Sequence, residues 1–369
     1  SAPNYGRGNY NDFNTFYMQA ASGTSGGSSG SPVINIKGEV IALNAGGNNS
    51  AASSYFLPLN RVIRALELFS EKKPITRGTI LTEFEFLPID QLKRLGMSRS
   101  TESLLLENKD NGLLVAKRII KDSPVYNHIK SGDILTRING NLISDYIDLA
   151  NHLDSNVDQE ISIELERSGK KISFSVVVTD LFNVTPESYL TLGGAVINNL
   201  SYQQARHYNR KLEGVYVADP GYIFSRSGIP AGAVILEADG IAIRNLDDLE
   251  LLISSLPSGK EINVRYVRYS DPINEVLRSI EIDHKWFMTE RCSLNKEDGF
   301  WPCKIIEEIK VSENTKKQST KLIDYLETRK NKISASLVHV NFDLPYPLAG
   351  LMEKHYYGTG IVVDSEKGL

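Results

Sequence analysis

The first apolar stretches of the chain alternate in short runs. Val33-Ile34-Asn35-Ile36, a Lys37-Gly38 turn and Glu39-Val40-Ile41-Ala42-Leu43-Asn44 predict a β-hairpin with largely buried strands. After a polar loop over 45–54, Tyr55-Phe56-Leu57 predicts a short strand, and a helix should start near Pro58. Val62, Ala65, Leu66 and Phe69 fall at helical spacing on its expected inner face. Glu71-Lys72-Lys73-Pro74 marks a boundary.

Beyond it the pattern repeats. Ser131-Gly132-Asp133-Ile134-Leu135-Thr136-Arg137-Ile138-Asn139-Gly140 returns as Ala231-Gly232-Ala233-Val234-Ile235-Leu236-Glu237-Ala238-Asp239-Gly240. Each copy is a strand that ends in Asn-Gly or Asp-Gly, dipeptides that accept the positive φ of a tight hairpin turn. A helix follows in both, with Tyr146, Leu149 and Leu153 matching Leu246, Leu249 and Ile253. Ser144 and Asn245 are the expected N-caps, with Asp148 and Asp248 supporting the first turns. Ile161 to Arg167 and Ile262 to Arg268 then give a strand in each copy, so one small domain occurs twice. Lys304 to Lys332 reads as a polar connector, and apolar alternation returns at Ser336 to Phe342 and at Gly360 to Asp364.

Composition narrows the function classes. Hydrophobic residues make up 41% and charged residues 23%, the balance of a globular protein, and 369 residues suffice for two or three domains. There is no run of eighteen apolar residues to span a bilayer. A net charge of -4 without a basic stripe argues against nucleic acid as a ligand. The two cysteines, Cys292 and Cys303, have no Cys-x-x-Cys partner or His cluster, so no metal or other cofactor is expected. Two thiols in a chain of this length suit a reducing compartment, a Cys292–Cys303 bridge being the minor expectation.

The candidate chemistry lies in Gly27-Ser28-Ser29-Gly30-Ser31-Pro32-Val33. A serine becomes a nucleophile where a glycine-flanked turn exposes its Oγ and aims backbone N–H groups at the developing oxyanion. The stretch from Gly27 through Gly38-Glu39-Val40-Ile41-Ala42 and Phe56-Leu57-Pro58 to Asn60-Arg61-Val62 resembles the end of a trypsin-like domain of the HtrA family. That resemblance implies Ser29 as nucleophile and the N–H groups of Gly27 and Ser29 as oxyanion hole. It also puts uncharged Gly23 at the floor of a pocket for Val, Ala or Leu. Ser28 and Ser31 depart from the Asn and Gly usual there. The repeated domain looks like a PDZ domain, a module that adds a peptide as an extra strand and holds its carboxylate on backbone N–H groups. The matching loops are Arg77-Gly78-Thr79-Ile80 and Gly193-Gly194-Ala195-Val196; for the second, glycines that merely open a strand are an equal alternative.

The order of parts is most similar to the large fungal nuclear pro-apoptotic members of the family, with tandem PDZ domains and a second, degenerate protease domain. The expected fold is mainly β with α+β modules. Its divisions are the C-terminal part of a protease domain (1–72), PDZ domains at 73–182 and 183–287, a polar connector (288–332) and the start of a second protease-like domain (333–369). The resemblance implies an HtrA-type serine endopeptidase acting on proteins, with peptide C-termini as partners and homo-oligomerisation left open. It implies the nucleus, with cytoplasm as alternative. In this family the catalytic His and Asp precede the Ser, whereas all six histidines follow Ser29. The chain is therefore expected to be an interior fragment, inactive alone. The rival reading is a non-catalytic PDZ scaffold or chaperone-like peptide binder.

Overall fold

The computed structural model describes residues 15–48, 52–284, 287–306, 336–343, 355–364 and 366–367. The first strands, β1 (Met18–Ala20), β2 (Pro32–Ile34), β3 (Val40–Asn48) and β4 (Ser53–Pro58), form an antiparallel sheet in the order β1-β4-β3-β2. Helix α1 (Asn60–Ser70) follows. The hairpin is less buried than its pattern predicts: Ile34, Val40 and Ile41 are exposed, while Ala42 and Asn44 are buried. Val40 and Ile41 are neighbours and so face opposite sides of β3, and both are exposed, so the start of the strand is uncovered on either face while the buried positions lie further along it. Likewise Leu66 and Phe69 are exposed on α1, which buries none of its residues.

The first copy contains β5 (Gly78–Thr79), β6 (Thr82–Pro88), α2 (Ile89–Arg94), α3 (Arg99–Asn108), β7 (Gly112–Ile119), β8 (Ile134–Ile138), β9 (Asn141–Leu142), α4 (Tyr146–Asp154), β10 (Glu160–Arg167), β11 (Lys170–Val177) and β12 (Thr179–Asp180). Its main sheet runs β11-β10-β8-β7-β6, with β9 on β8, and β5 pairs separately with β12. Asn139 and Gly140, at φ 49° and 79°, make the β8–β9 turn that their types demand. The N-cap of α4 is Asp145, which accepts the N–H groups of Ile147 and Asp148, not Ser144. Ser144 instead bonds the Asp148 carboxylate. Phe84, Leu114, Leu135, Ile138, Tyr146 and Leu149 belong to the apolar core.

Two buried acids brace this copy. Asp133, 1% exposed, binds Arg167 through both carboxylate oxygens, and Glu166 holds Ser98 and Thr101 at the start of α3. The compact unit that includes residues 1–185 also takes in 201–212. There α5 (Tyr202–Tyr208) buries Tyr202 beside Leu81 and Ile120. Arg118 donates to the Arg206 carbonyl, and Asp122 accepts the Leu212 N–H.

The second unit comprises 186–200 and 213–369. It contains β13 (Ser188–Leu192), β14 (Ala195–Asn199), β15 (Val215–Asp219), α6 (Gly221–Arg226), β16 (Val234–Ala238), β17 (Ile241–Ala242), α7 (Leu246–Ser254), β18 (Glu261–Arg268), β19 (Asp271–Glu281), β20 (Glu290–Ser293), β21 (Cys303–Ile305), β22 (Leu337–Asp343) and β23 (His355–Ile361). The order β19-β18-β16-β15-β14 reproduces that of the first copy, then continues through β13, β20 and β21. Asp239 and Gly240 repeat the left-handed turn, and Asn245 caps α7 as expected. Where the first copy has Asp133 and Glu166, this one buries Ala233 and Val267.

Two expectations need correction here. Cys292 and Cys303, directly opposite each other on β20 and β21, form a disulfide instead of two thiols; the register of two paired strands brings together sulfurs that sequence separation alone does not place. The stretch expected as a polar connector, 288–332, holds two ordered strands, β20 and β21, while its residues 307–332 lie outside the described set. The last expected strand ends at Ile361 instead of Asp364, in the ribbon of β22 and β23. No helix among the described residues is long and apolar enough to cross a membrane.

Candidate functional site

Ser29 stands exposed in a tight double turn between β1 and β2. Gly27 and Gly30 on either side have φ of 92° and 82°, a region that L side chains avoid, so the turn needs glycine at both. A turn bond from the Ser28 N–H to the Ser25 carbonyl and another from Ser31 to Ser28 fold the chain tightly around Ser29. Among the described residues the N–H groups of Gly27 and Ser29 meet no backbone acceptor outside helices and strands. An exposed hydroxyl with open backbone donors beside it is the arrangement that nucleophilic attack on a carbonyl requires. Beside the turn, the Ser54 hydroxyl donates to the Ser22 carbonyl and Thr24 meets the Ser28 hydroxyl at 2.7 Å. These hydroxyls make the surroundings of Gly23 more polar than its lack of charge suggested.

In the first copy the loop Arg77-Gly78-Thr79-Ile80 abuts the end of α4. The Gly78 N–H donates to the Asp154 carboxylate at 2.7 Å, and Arg77 Nε lies 3.4 Å from the same oxygen. A Cβ on Gly78 would sit 2.1 Å from the Leu153 carbonyl oxygen, so only glycine allows this approach. Thr79 accepts the Leu81 N–H, and Ile80 is buried. From α1, Arg64 bridges the Thr76 hydroxyl and the Asp154 carbonyl, tying the loop to the helix end. The edge strand β6 is also engaged: the Tyr146 hydroxyl donates to the Phe84 carbonyl at 2.9 Å and takes a backbone hydrogen bond from Phe86. Both groups point away from β7, because Ala116, opposite Phe84, spends its own N–H and carbonyl on Asp133 and Gly132. Burial above all pushes the Tyr146 hydroxyl up to about 12, and Glu85 and Glu83 add to the rise.

In the second copy Gly193 and Gly194, at φ 53° and 75°, are the two-residue turn joining β13 to β14. Ala195 is buried, Val196 pairs with Thr191, and the Gly193 carbonyl accepts N–H groups of Tyr222 and Ile223 at the start of α6. Strand β14 has β13 on one side and β15 on the other, so neither edge is open. Arg291 on β20 binds Glu250 and Asp247 of α7 and fastens the strands beyond β13. Among the described residues the one group of three metal-ligating side chains is Glu290, Cys292 and Cys303, and the bridge consumes both sulfurs.

Sequence reasoning missed Asp154, Tyr146 and Asn44. Asp154 ends a helix whose apolar face alone was read, and the Tyr146 hydroxyl disappears when Tyr is counted only as apolar.

A model described as a PDZ-like domain matches residues 183–259. Over 376 residues the chain is 38% identical to the "Pro-apoptotic serine protease NMA111" of Kluyveromyces lactis, covering 100% of this chain and 38% of that protein. It is 36% identical over 374 residues to the protein of the same name from Saccharomyces cerevisiae, with the same coverage. Against "Protease Do-like 7" of Arabidopsis thaliana the identity is 40% over 318 residues, 82% of this chain and 29% of the relative. The chain thus spans between 29% and 38% of the length of these curated relatives. Among solved structures, "HtrA-type protease AlgW with tripeptide" aligns at 19% identity and a TM-score of 0.33, covering 44% of this chain and 53% of that one.

Proposed function

The chain belongs to the HtrA-like serine proteases that carry PDZ domains, and from that premise we propose that the full-length protein is a serine endopeptidase with Ser29 as its nucleophile. The observation that carries this reading is the glycine-bounded turn, which leaves the Ser29 hydroxyl exposed beside the open N–H groups of Gly27 and Ser29. In this reading Ser29 attacks the scissile carbonyl and those N–H groups receive the oxyanion. A general base and its orienting acid come from parts of the protein outside this chain. The division into protease end (1–72), PDZ copies (73–182 and 183–287), connector (288–332) and a second protease-like start (333–369) belongs to the same proposal. So does a nuclear location, which rests on the resemblance to the large fungal members of the family.

Peptide binding falls to the two PDZ-like copies, and the first is the better placed. Its β6 ends a sheet, whereas β14 is paired on both sides. A peptide entering the first copy must displace the Tyr146 hydroxyl from β6 and Asp154 from Gly78.

The test is Ser29→Ala in the full-length protein, assayed on an unfolded casein. Oγ is lost while the glycine-built turn keeps its shape, so cleavage should vanish with thermal unfolding unchanged. Retained cleavage would remove Ser29 from the reaction.

A further inference from the structure

We infer that Asn44, a buried residue of β3, is a positioning residue that holds the Ser29 turn in its reactive shape; this rests on Ser29 being the nucleophile. Asn44 is 9% exposed. Its amide nitrogen lies 2.7 Å from Thr24 Oγ1, 2.8 Å from Ser28 Oγ and 3.0 Å from the Ser28 carbonyl oxygen. Its own carbonyl accepts the Gly30 N–H at 2.7 Å, and its N–H donates to the Ser31 carbonyl at 2.9 Å. One residue thus grips both neighbours of Ser29. The Ser28 hydroxyl passes the hold onward by donating to the Ser25 carbonyl at 2.7 Å.

A segment as rich in glycine and serine as residues 22–31 has no side-chain packing to choose one conformation, and freezing it costs about 1–2 kcal/mol per residue. The backbone bonds of Asn44 fix where the turn leaves for β2. Its amide adds to the two turn bonds, Ser28 N–H to Ser25 and Ser31 N–H to Ser28, in fixing the rotation of the peptide groups that precede Ser29, and hence the direction of the Gly27 and Ser29 N–H groups. Rotating the Ser28 peptide unit would break the contact to the Ser28 carbonyl and strain the two to the hydroxyls. The departure from the family pattern at Ser28 acquires a role here, because its hydroxyl is the handle that Asn44 holds.

A displaced nucleophile loses turnover more than ground-state affinity, and a shift of about 1 Å costs on the order of 100-fold. In the full-length protein, Asn44→Ala should lower kcat on a chromogenic peptide by about 100-fold with KM within about threefold. Fluorophosphonate labelling of Ser29 should slow in parallel. Asn44→Asp, of the same shape, loses the N–H donors to the Thr24 and Ser28 hydroxyls and to the Ser28 carbonyl, and can hold the two hydroxyls only by accepting from them after they turn; it should fall between. Ser28→Ala and Asn44→Ala should be strongly non-additive, the double variant being no slower than Asn44→Ala. Ser29→Ala serves as the separate check: activity surviving in it would refute the nucleophile itself. If Ser29→Ala is inactive while Asn44→Ala keeps kcat within threefold, or if the effects of Ser28→Ala and Asn44→Ala simply add, the positioning role is wrong. Should Asn44→Ala fail to fold, Asn44→Asp decides the matter, and an unchanged kcat in that variant overturns the proposal.

Discussion

Replacing Tyr146 by Phe removes one oxygen and leaves the ring where it is. In the folded chain that oxygen, on a residue 8% exposed, donates to the Phe84 carbonyl at 2.9 Å and takes the backbone hydrogen bond from Phe86. Packing against the core and the stacking of Phe16 at 6.3 Å should survive. Losing the bond costs about 1 kcal/mol, and an acceptor left buried without a partner raises this to about 1–2 kcal/mol at pH 8. The alkaline limb supplies a second, opposite effect. Burial raises the folded-state pKa from 10.0 to about 12. The neutral hydroxyl's stabilisation is therefore complete below pH 10 and is lost as pH rises through 12, because the unfolded chain releases its proton first. Two units amount to about 3 kcal/mol in full, of which roughly 2 are lost by pH 12. The phenylalanine variant has no such loss. Urea unfolding of both proteins from pH 8 to 12 should show curves that converge and cross near pH 11, the other tyrosines cancelling in the difference. Curves that stay parallel throughout would mean that the hydroxyl is not held between β6 and α4 as described.

Gly221→Ala should cost more than about 3 kcal/mol, since the new Cβ would meet the Ala195 nitrogen at 2.1 Å at a φ of 49°, whereas Gly228→Ala, at a φ of 72° but with open space, should cost about 1 kcal/mol by thermal unfolding. Reducing the Cys292–Cys303 bridge, which closes a separation of 11 residues, should remove about 3 kcal/mol of local stability; hydrogen exchange at Lys304 and Ile305 should quicken while β13 stays protected. Asp154→Ala frees the Gly78 N–H, so titration with an apolar peptide should show tighter binding than in the parent chain and a new sensitivity to amidation of the peptide. Absence of any gain would mean that Asp154 does not occupy the carboxylate loop.

What could be read from the sequence was local. The turns at Asn139-Gly140 and Asp239-Gly240 and the cap at Asn245 follow from residue type alone, and all three appear where expected. At α4 two acceptors stand side by side, and only the extended backbone at Asp145 decides in its favour over Ser144. Pairings between distant segments were hidden. Strand β20 reaches β13 across about a hundred residues, and no periodicity announces that β14 has no free edge. The repeat sets Ala233 against Asp133 without saying what the acid holds. In space Asp133 serves Arg167, and the second copy has exchanged both buried acids for apolar residues, a joint change invisible one position at a time. Such an exchange keeps a core satisfied without desolvating charge. At the candidate nucleophile the glycines were legible, but Asn44 was not, because an Asn ending an apolar strand gives no sign of which loop its amide will meet.

The passage of residues 201–212 into the first compact unit bears on how these domains travel between proteins. A module copied or excised as one continuous stretch ending at Thr185 would leave behind the helix that covers Leu81 and Ile120. Conversely, a stretch beginning at Pro186 would carry a helix whose buried tyrosines belong to a core it no longer meets. A cut at the apparent border between the copies therefore leaves one part short of its covering helix and the other with that helix's buried face bare, so the pair should tolerate exchange better as one stretch than as two.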